Sequence, residues 1–157
     1  MNTAPEILEL AKKNGILLAC AESCTGGLVA AALTELPGSS AMFDRGFVTY
    51  TNAAKIAMLG VSQETLAHYG AVSEAVAAEM AQGAFTRSDA ALAVSITGIA
   101  GPGGSDHKPE GRVCFGLAQR DKSWTETVEF GALGRAEVRR AARDHALNLL
   151  LRALKTR

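Results

Sequence analysis

The chain has 157 residues, 48% of them hydrophobic, and its 16 basic residues balance its 16 acidic residues, so the formal net charge is zero. A chain of this length can form a continuous core, and we expect a single domain over residues 1–157. The neutral balance argues against general electrostatic binding of nucleic acid or of a membrane surface. The sequence begins without the features of a signal peptide and has no apolar run near the ~20 residues of a membrane span, which predicts a cytoplasmic protein.

Cysteine and histidine positions give no support for a metal site. Cys20 and Cys24 stand one residue too far apart for the zinc-binding C-x-x-C pattern, and Cys114 lies far along the chain. The three histidines are scattered and have no acidic or cysteine partner at a metal-ligand spacing. We therefore expect free thiols and no bound metal.

The first predicted elements are a helix, a strand and a second helix. Thr3 and Glu6 form a possible capping box at the start of the first helix, and Gly15 ends it. Residues 16–20 are short and apolar, as in a buried parallel strand, and residues 28–36 are good helix formers.

The middle of the chain continues this alternation. Residues 47–50 are β-branched and aromatic and predict a second strand. After it, Asn52 can cap a helix that carries Lys55 in its first turn, and Ser62 and Ser73 can cap two further helices.

The last part of the chain is predicted to contain a strand, a hairpin and a long helix. Residues 90–96 are the clearest buried strand, residues 113–118 and 124–130 form the hairpin, and the helix begins at about Arg135. Strands that alternate with helices in this way are typical of an α/β layer fold.

The run from Cys20 to Gly27 is the candidate active-site turn. It places a carboxylate, a hydroxyl, a thiol and paired glycines between a predicted strand and a predicted helix, beside N–H groups able to hold an anion or an oxyanion. Ser23 and Cys24 are the candidate nucleophiles. The alternatives are that Ser23 only caps the next helix and that Cys24 is a small buried thiol.

Lys55 and Tyr50 lie near the end of the second predicted strand. Because the carboxyl ends of parallel strands meet at one edge of a sheet, Ser23, Tyr50 and Thr97 would face a shared crevice, with Lys55 one turn away. A lysine desolvated there can lose its proton near neutral pH and act as the base for a serine hydroxyl. The alternative is an exposed Lys55 on the helix surface.

A second glycine-rich loop covers residues 97–105. Its glycines, among them Gly98 and Gly101, permit a ligand to approach the backbone closely. The loop matches neither G-x-G-x-x-G nor a P-loop, so it predicts neither a dinucleotide nor a nucleoside triphosphate as cofactor.

Arg135, Arg139 and Arg143 recur every four residues along one face of the last helix. Arginine is usually exposed, so a solvated face is the ordinary interpretation. The alternative is that the arginines nearest the start of the helix bind a substrate phosphate, which a planar guanidinium matches bidentately. The apolar second half of this helix, residues 147–154, suggests burial in a subunit interface as well as in the core.

Five motifs, found in the expected order along nearly the whole chain, resemble those of the CinA C-terminal-domain family. They are AESCTGG at 21–27, PGSS at 37–40, FVTY at 47–50 followed by Asn52 and Lys55, GAVSE at 70–74, and SITGIAGP at 95–102. Full-length members carry a further N-terminal domain, so the chain is similar to the stand-alone form of the family.

The enzymatic members of this family are nicotinamide-nucleotide amidohydrolases. The resemblance implies hydrolysis of the carboxamide of nicotinamide mononucleotide to nicotinic acid mononucleotide and ammonia, without a metal or cofactor. It implies Ser23 as the nucleophile, Lys55 as the base, and Tyr50 beside them to orient or relay a proton. The oxyanion and phosphate donors would lie on the two glycine-rich turns, in an assignment that stays open, and the expected binding residues are Cys24, Thr25, Gly26, Thr97, Gly98, Gly101 and Arg135.

The resemblance also implies a three-layer α/β/α sandwich with a mixed, mostly parallel sheet of about five strands, and a homodimer. Two departures from the family pattern affect the rim of the site: Glu110 stands where a small apolar residue is usual, and residues 131–135 replace a tighter turn. Two alternatives remain open. One is a non-catalytic nucleotide-binding or protein-interaction module of the competence- and damage-associated type, and the other is a serine and lysine amidase for another small amide.

Overall fold

The computed structural model of the chain describes residues 3–157, in which a five-stranded mixed sheet lies between two layers of helices. In chain order the elements are α1 (Ala4–Asn14), β1 (Leu18–Glu22), α2 (Leu28–Leu33), β2 (Phe43–Val48), α3 (Asn52–Leu59), α4 (Gln63–Tyr69), α5 (Glu74–Thr86), β3 (Leu92–Gly98), β4 (Arg112–Ala118), β5 (Ser123–Glu129) and α6 (Arg135–Lys155). The predicted α/β sandwich is confirmed. No helix in this part of the chain combines the length and the apolar character needed to cross a bilayer.

The strand order of the sheet is β2-β1-β3-β4-β5. Strands β2, β1 and β3 are parallel, whereas β4 and β5 form the predicted antiparallel hairpin. The carboxyl ends of the three parallel strands therefore meet at one edge. Because β4 runs antiparallel to β3, residues 99–111, which join these strands, lie at the same edge.

Side chains of the inner strands alternate between the two helical layers, as the pleat of a strand requires. The larger residues Leu18, Leu92 and Val94 pack with α1, α2 and α6. Ala19 and Ala93 face the other layer, which is formed by α3, α4 and α5. Small side chains on that face allow α5 to lie close to the sheet.

The close approach of α5 is visible at Gly116 in β4. A Cβ atom at this position would lie 2.5 Å from the carbonyl oxygen of Ala77 in α5. The hydroxyl of Ser95 in β3 donates to the same carbonyl at 2.6 Å. This contact fixes the height of α5 above the middle of the sheet.

Two of the predicted strands end two residues later than expected. The strand predicted at 16–20 is Leu18–Glu22, and the strand predicted at 90–96 is Leu92–Gly98. Both continue past their apolar runs because their polar or small last residues still pair with neighbouring strands, as Glu22 does with β2 and β3. This shift places Ser23 directly after the end of β1.

Two other boundaries are also wrong. The strand predicted at 47–50 is Phe43–Val48, so Tyr50 lies beyond its end. The helix predicted at 28–36 is Leu28–Leu33, and it ends where the hydroxyl of Thr34 bonds back to the carbonyl of Ala30.

The predicted helix caps are confirmed in part. Ser62 and Ser73 accept hydrogen bonds from backbone N–H groups of the helices that follow them. Thr51 rather than Asn52 caps α3, and Asn52 is the first residue of that helix. Thr3 makes no side-chain cap and has a helical backbone conformation, so the predicted capping box is wrong.

Candidate active site

Ser23 is the first residue after β1 and stays tied to the sheet. Its N–H donates to the carbonyl of Ile96 in β3 at 3.0 Å. The residue is 8% exposed and lines a cavity of about 330 Å³ at the edge where the parallel strands end. The sheet therefore fixes the position of this hydroxyl group.

Lys55 reaches the same place from α3. This helix begins where the hydroxyl of Thr51 accepts a hydrogen bond from the N–H of Ala54, which puts Lys55 in the first turn. The side chain is directed inward and is 1% exposed. The alternative of an exposed surface lysine is thereby wrong.

The amine of Lys55 makes three hydrogen bonds. Its Nζ lies 3.0 Å from the Oγ of Ser23, 3.0 Å from the carbonyl oxygen of Thr49 and 3.3 Å from that of Tyr50. Burial lowers the pKa of the Lys55 amine below its usual value, because a low-dielectric environment disfavours the charged form. A neutral amine can donate to both carbonyls and still accept the proton of the Ser23 hydroxyl.

Cys24 also lines the cavity but is poorly suited to attack. The residue is 4% exposed, and burial is the main cause that raises the pKa of its thiol to about 11. Nucleophilic attack needs the thiolate, which a raised pKa makes scarce at neutral pH. Ser23, with an amine in hydrogen-bond contact, is the better candidate.

Glu22 holds the turn in place by hydrogen bonds from a buried position. This residue is fully buried, and its carboxylate accepts hydrogen bonds from the Thr25 hydroxyl and from the N–H groups of Gly27, Val29 and Ala30, at 2.6 to 3.1 Å. Three of these donors are amides at the start of α2, which would otherwise lack partners. One side chain thus holds the turn and the following helix together.

Two backbone amides of the nucleophile turn, residues 23–27, donate to no protein oxygen. Within residues 3–157, the Ser23, Gly26, Gly27 and Leu28 amides each donate to a protein oxygen. The amides of Cys24 and Thr25 do not, although both residues are buried. Buried amides without an oxygen acceptor are uncommon. The Thr25 amide is available to a ligand, and the Cys24 amide has only the sulfur of its own side chain beside it.

The second glycine-rich loop forms the opposite wall of the cavity. Thr97 is buried and donates its hydroxyl proton to the carbonyl of Ala71 at 2.8 Å. A Cβ atom at Gly98 would lie 2.7 Å from the Val113 side chain. Gly101 has a φ of +96°, a conformation that favours glycine.

Tyr50 and Arg135 lie together at the edge of the cavity. Arg135 donates to the Tyr50 hydroxyl at 2.6 Å and to the carbonyl of Gly101 at 2.7 Å. Tyr50 is 56% exposed, and it is its backbone carbonyl that accepts from Lys55. The structure therefore joins the Tyr50 side chain to Arg135, and its part in proton transfer stays a prediction.

Glu110 and Lys108 tie the rim of the loop to its surroundings. The carboxylate of Glu110 accepts from the N–H of Gly103 at 2.7 Å and from that of Gly134, just before α6, at 3.3 Å. The side-chain amine of Lys108 donates to the carbonyl of Tyr69, at the end of α4, and to that of Val72, between α4 and α5. Each of these side chains thus makes two hydrogen bonds at a largely exposed rim.

Sequence reasoning missed the structural role of Arg139. Its Nε donates to the carbonyl of Cys24 at 3.0 Å and its Nη2 to the carbonyl of Thr25 at 3.3 Å. The solvated-face interpretation is therefore wrong for this arginine. The role of Glu22 was also missed, and the available signal was a charged residue at the end of an apolar strand.

The sequence of the chain matches the model of the CinA C-terminal domain over residues 2–154. It is 48% identical over 151 residues to the nicotinamide-nucleotide amidohydrolase PncC of Escherichia coli (strain K12). This alignment covers 96% of this chain and 92% of that protein. It is 50% identical over 149 residues to a CinA-like protein of Chlorobium phaeobacteroides (strain BS1). The chain spans 36% of the length of that second relative.

Solved structures also place the chain among proteins of this kind. The competence/damage inducible protein CihA from Agrobacterium tumefaciens superposes with a TM-score of 0.87 and 50% sequence identity, over 96% of both chains. The family match extends over almost all of the sequence and includes both turns of the site. The chain belongs to the CinA C-terminal domain family.

Proposed function

We propose that this chain hydrolyses the carboxamide of nicotinamide mononucleotide to nicotinic acid mononucleotide and ammonia, with Ser23 as nucleophile and Lys55 as base. The observation that carries the proposal is the 3.0 Å contact between a buried lysine amine and a buried serine hydroxyl. The activity in the name of the E. coli relative supports the choice of substrate.

The first half of the reaction forms an acyl-enzyme. Neutral Lys55 accepts the hydroxyl proton of Ser23 while Oγ bonds to the carboxamide carbon, and the electrons of the C=O π bond move to its oxygen. Collapse of this tetrahedral intermediate breaks the C–N bond. The Lys55 ammonium gives its proton to the departing nitrogen, so ammonia leaves and the amine is neutral again.

The second half uses water. A water molecule bonds to the ester carbon and loses a proton to Lys55, and the C–Oγ bond then breaks. Ser23 recovers its proton from Lys55, and the product acid releases its own proton to solvent. The net change is amide and water to carboxylate and ammonium, and the enzyme returns to its starting state.

The two turns have different parts in this proposal. The amides of Cys24 and Thr25, which donate to no protein oxygen, support assignment of the oxyanion to the nucleophile turn. The guanidinium group of Arg135 at the other side of the cavity supports assignment of the phosphate to that side.

The proposal is tested by measuring ammonia and nicotinic acid mononucleotide from purified protein and nicotinamide mononucleotide, with and without a chelator. Ser23→Ala and Lys55→Ala are each expected to lower kcat by about a thousandfold or more, as loss of a nucleophile or its base does elsewhere. Ser40→Ala and Lys12→Ala, at exposed positions, serve as matched controls. The wild-type rate should rise with pH through the lowered pKa of Lys55, because only the neutral amine can accept the serine proton.

The outcomes separate the parts of the proposal. A wild type that releases no ammonia would contradict the substrate, and would favour a non-catalytic module or another amide. Full activity in Ser23→Ala would reject this nucleophile and leave the reaction standing. Inhibition by the chelator would contradict a metal-free mechanism.

A further inference from the structure

We infer that Arg139 is a positioning residue that sets the direction of the Cys24 and Thr25 amides, which donate to no protein oxygen. The inference rests on the proposed function only in assigning these amides to the oxyanion. Arg139 projects from α6 and has its guanidinium group on two successive carbonyls, those of Cys24 and Thr25. It contacts neither Ser23 nor Lys55 within the described residues, so any effect on the reaction passes through the backbone of the turn.

The geometry of the peptide group explains the effect of the first contact. In a trans peptide the C=O and N–H bonds point in opposite directions. The carbonyl of Cys24 and the N–H of Thr25 belong to one peptide group. Because Arg139 holds this carbonyl at 3.0 Å, the Thr25 N–H is directed away from the guanidinium group.

The second contact acts through one more hydrogen bond. The carbonyl of Thr25, held at 3.3 Å, shares a peptide group with the N–H of Gly26, and this N–H donates to the carbonyl of Ser23 at 3.0 Å. The Ser23 carbonyl in turn shares a peptide group with the N–H of Cys24. That amide is therefore directed away from Gly26, and Cys24 is a residue that lines the cavity.

Gly26 lies in close contact with the guanidinium group of Arg139. A Cβ atom at this position would lie 3.3 Å from the Nη2 of Arg139, and the φ of Gly26 is +56°. The turn thus has Glu22 on one side, accepting from its donors, and Arg139 on the other, donating to its carbonyls. The amides of Cys24 and Thr25 are what this arrangement leaves unused.

The test compares Arg139→Met, which keeps the length of the side chain, with Arg139→Lys, which keeps the charge but has no planar fork for two carbonyls. Arg143→Met is the matched control, because Arg143 lies one turn further along α6 and donates to Asp144. Arg139→Met is expected to lower kcat about 10- to 100-fold and to change KM less than about threefold, since donors to an oxyanion act mainly in the transition state. Arg139→Lys should recover little of the lost kcat. The pH at which the rate is half-maximal should be the same in the variants and in wild type, because it is set by Lys55.

Three kinetic results would overturn the inference. One is a kcat for folded Arg139→Met within twofold of wild type, and the second is a raised KM with unchanged kcat, which would make Arg139 a ground-state binding residue. The third is near-complete recovery in Arg139→Lys, which would show that the charge of Arg139, and not the direction of the peptides, determines the rate. If Arg139→Met does not fold, the kcat and KM of Arg139→Lys are compared with those of wild type instead.

A crystal structure of Arg139→Met tests the same point without activity. The peptide between Cys24 and Thr25 is expected to rotate, so that the Thr25 N–H changes direction. An unchanged peptide would overturn the inference even if wild-type protein cleaves the proposed substrate. A rotated peptide in Arg139→Met, together with a wild type that releases no ammonia, would reject the proposed function and leave the positioning role of Arg139 standing.

Discussion

Two turns line the site, and they are built in opposite ways. The nucleophile turn is largely buried, with a buried carboxylate on one side and a guanidinium group on the other. The loop at 99–111, which includes most of the second glycine-rich loop, has mostly exposed residues. Its exposed part is held by side-chain hydrogen bonds of Arg135, Glu110 and Lys108. The turn assigned to bond formation is fixed by the core, whereas the loop assigned to recognition has an exposed part, residues 102–107, that lies outside the core.

This contrast predicts how substitutions divide between the two turns. A change in the nucleophile turn should affect folding stability and kcat together, since the same contacts serve both. A change in the exposed loop should affect KM and leave stability nearly unaltered. Three substitutions test this division, from the largest expected effect to the smallest.

Glu22→Gln should have the largest effect. The amide keeps the shape of the side chain but replaces one acceptor oxygen with an NH₂ group that faces a donor, such as the N–H of Ala30. A buried donor without an acceptor costs about 1–3 kcal/mol, so we expect a loss of about that size in the free energy of unfolding, measured by urea denaturation. Glu35→Gln, at an exposed residue just beyond α2, is the control and should change it by less than about 0.5 kcal/mol. A loss below about 1 kcal/mol for Glu22→Gln would show that the turn does not depend on this carboxylate.

Arg135→Met should have an intermediate effect that depends on the substrate. Loss of one guanidinium contact to phosphate is expected to raise KM for nicotinamide mononucleotide about tenfold, which corresponds to about 1.4 kcal/mol. Nicotinamide riboside, which lacks the phosphate, is the matched control substrate and should show no such change. Equal effects on both substrates would place the phosphate elsewhere, with Lys108 as the next cationic residue of the cavity.

Glu110→Gln should have the smallest effect. Its side chain can still accept from Gly103 but loses the acceptor for Gly134, so the rim of the loop is held less firmly. We expect KM to rise about twofold and the unfolding free energy to change by less than about 1 kcal/mol. A fall in KM would mean instead that the carboxylate repels the substrate phosphate.

The convergence of Ser23 and Lys55 could be predicted from sequence because it follows from topology. Parallel strands place their carboxyl ends at one edge. Ser23 directly follows β1, and Lys55 lies in the first turn of the helix that follows β2. Burial of Lys55 could not be decided from its spacing alone. It depends on the inward direction of the first turn of α3, which the Thr51 cap sets.

The supports of the nucleophile turn could not be predicted in the same way. Glu22 accepts from amides up to eight residues later, and these meet it only after the chain turns back over the strand end. Arg139 lies 115 residues beyond the Cys24 carbonyl that it holds, and the contact depends on how α6 packs on the sheet. Neither contact has a periodic pattern in the sequence, because each is a product of tertiary packing.

The antiparallel return of β4 beside β3 has a consequence for how this protein can be altered. Residues 99–111 leave the sheet and re-enter it at the same edge, so they form a loop that connects two neighbouring antiparallel strands. A segment of this kind can be lengthened, shortened or exchanged while both of its anchors stay in register. Substitutions that aim to change which substrates bind are therefore best placed in residues 99–111, because Ser23 and Lys55 lie outside this segment.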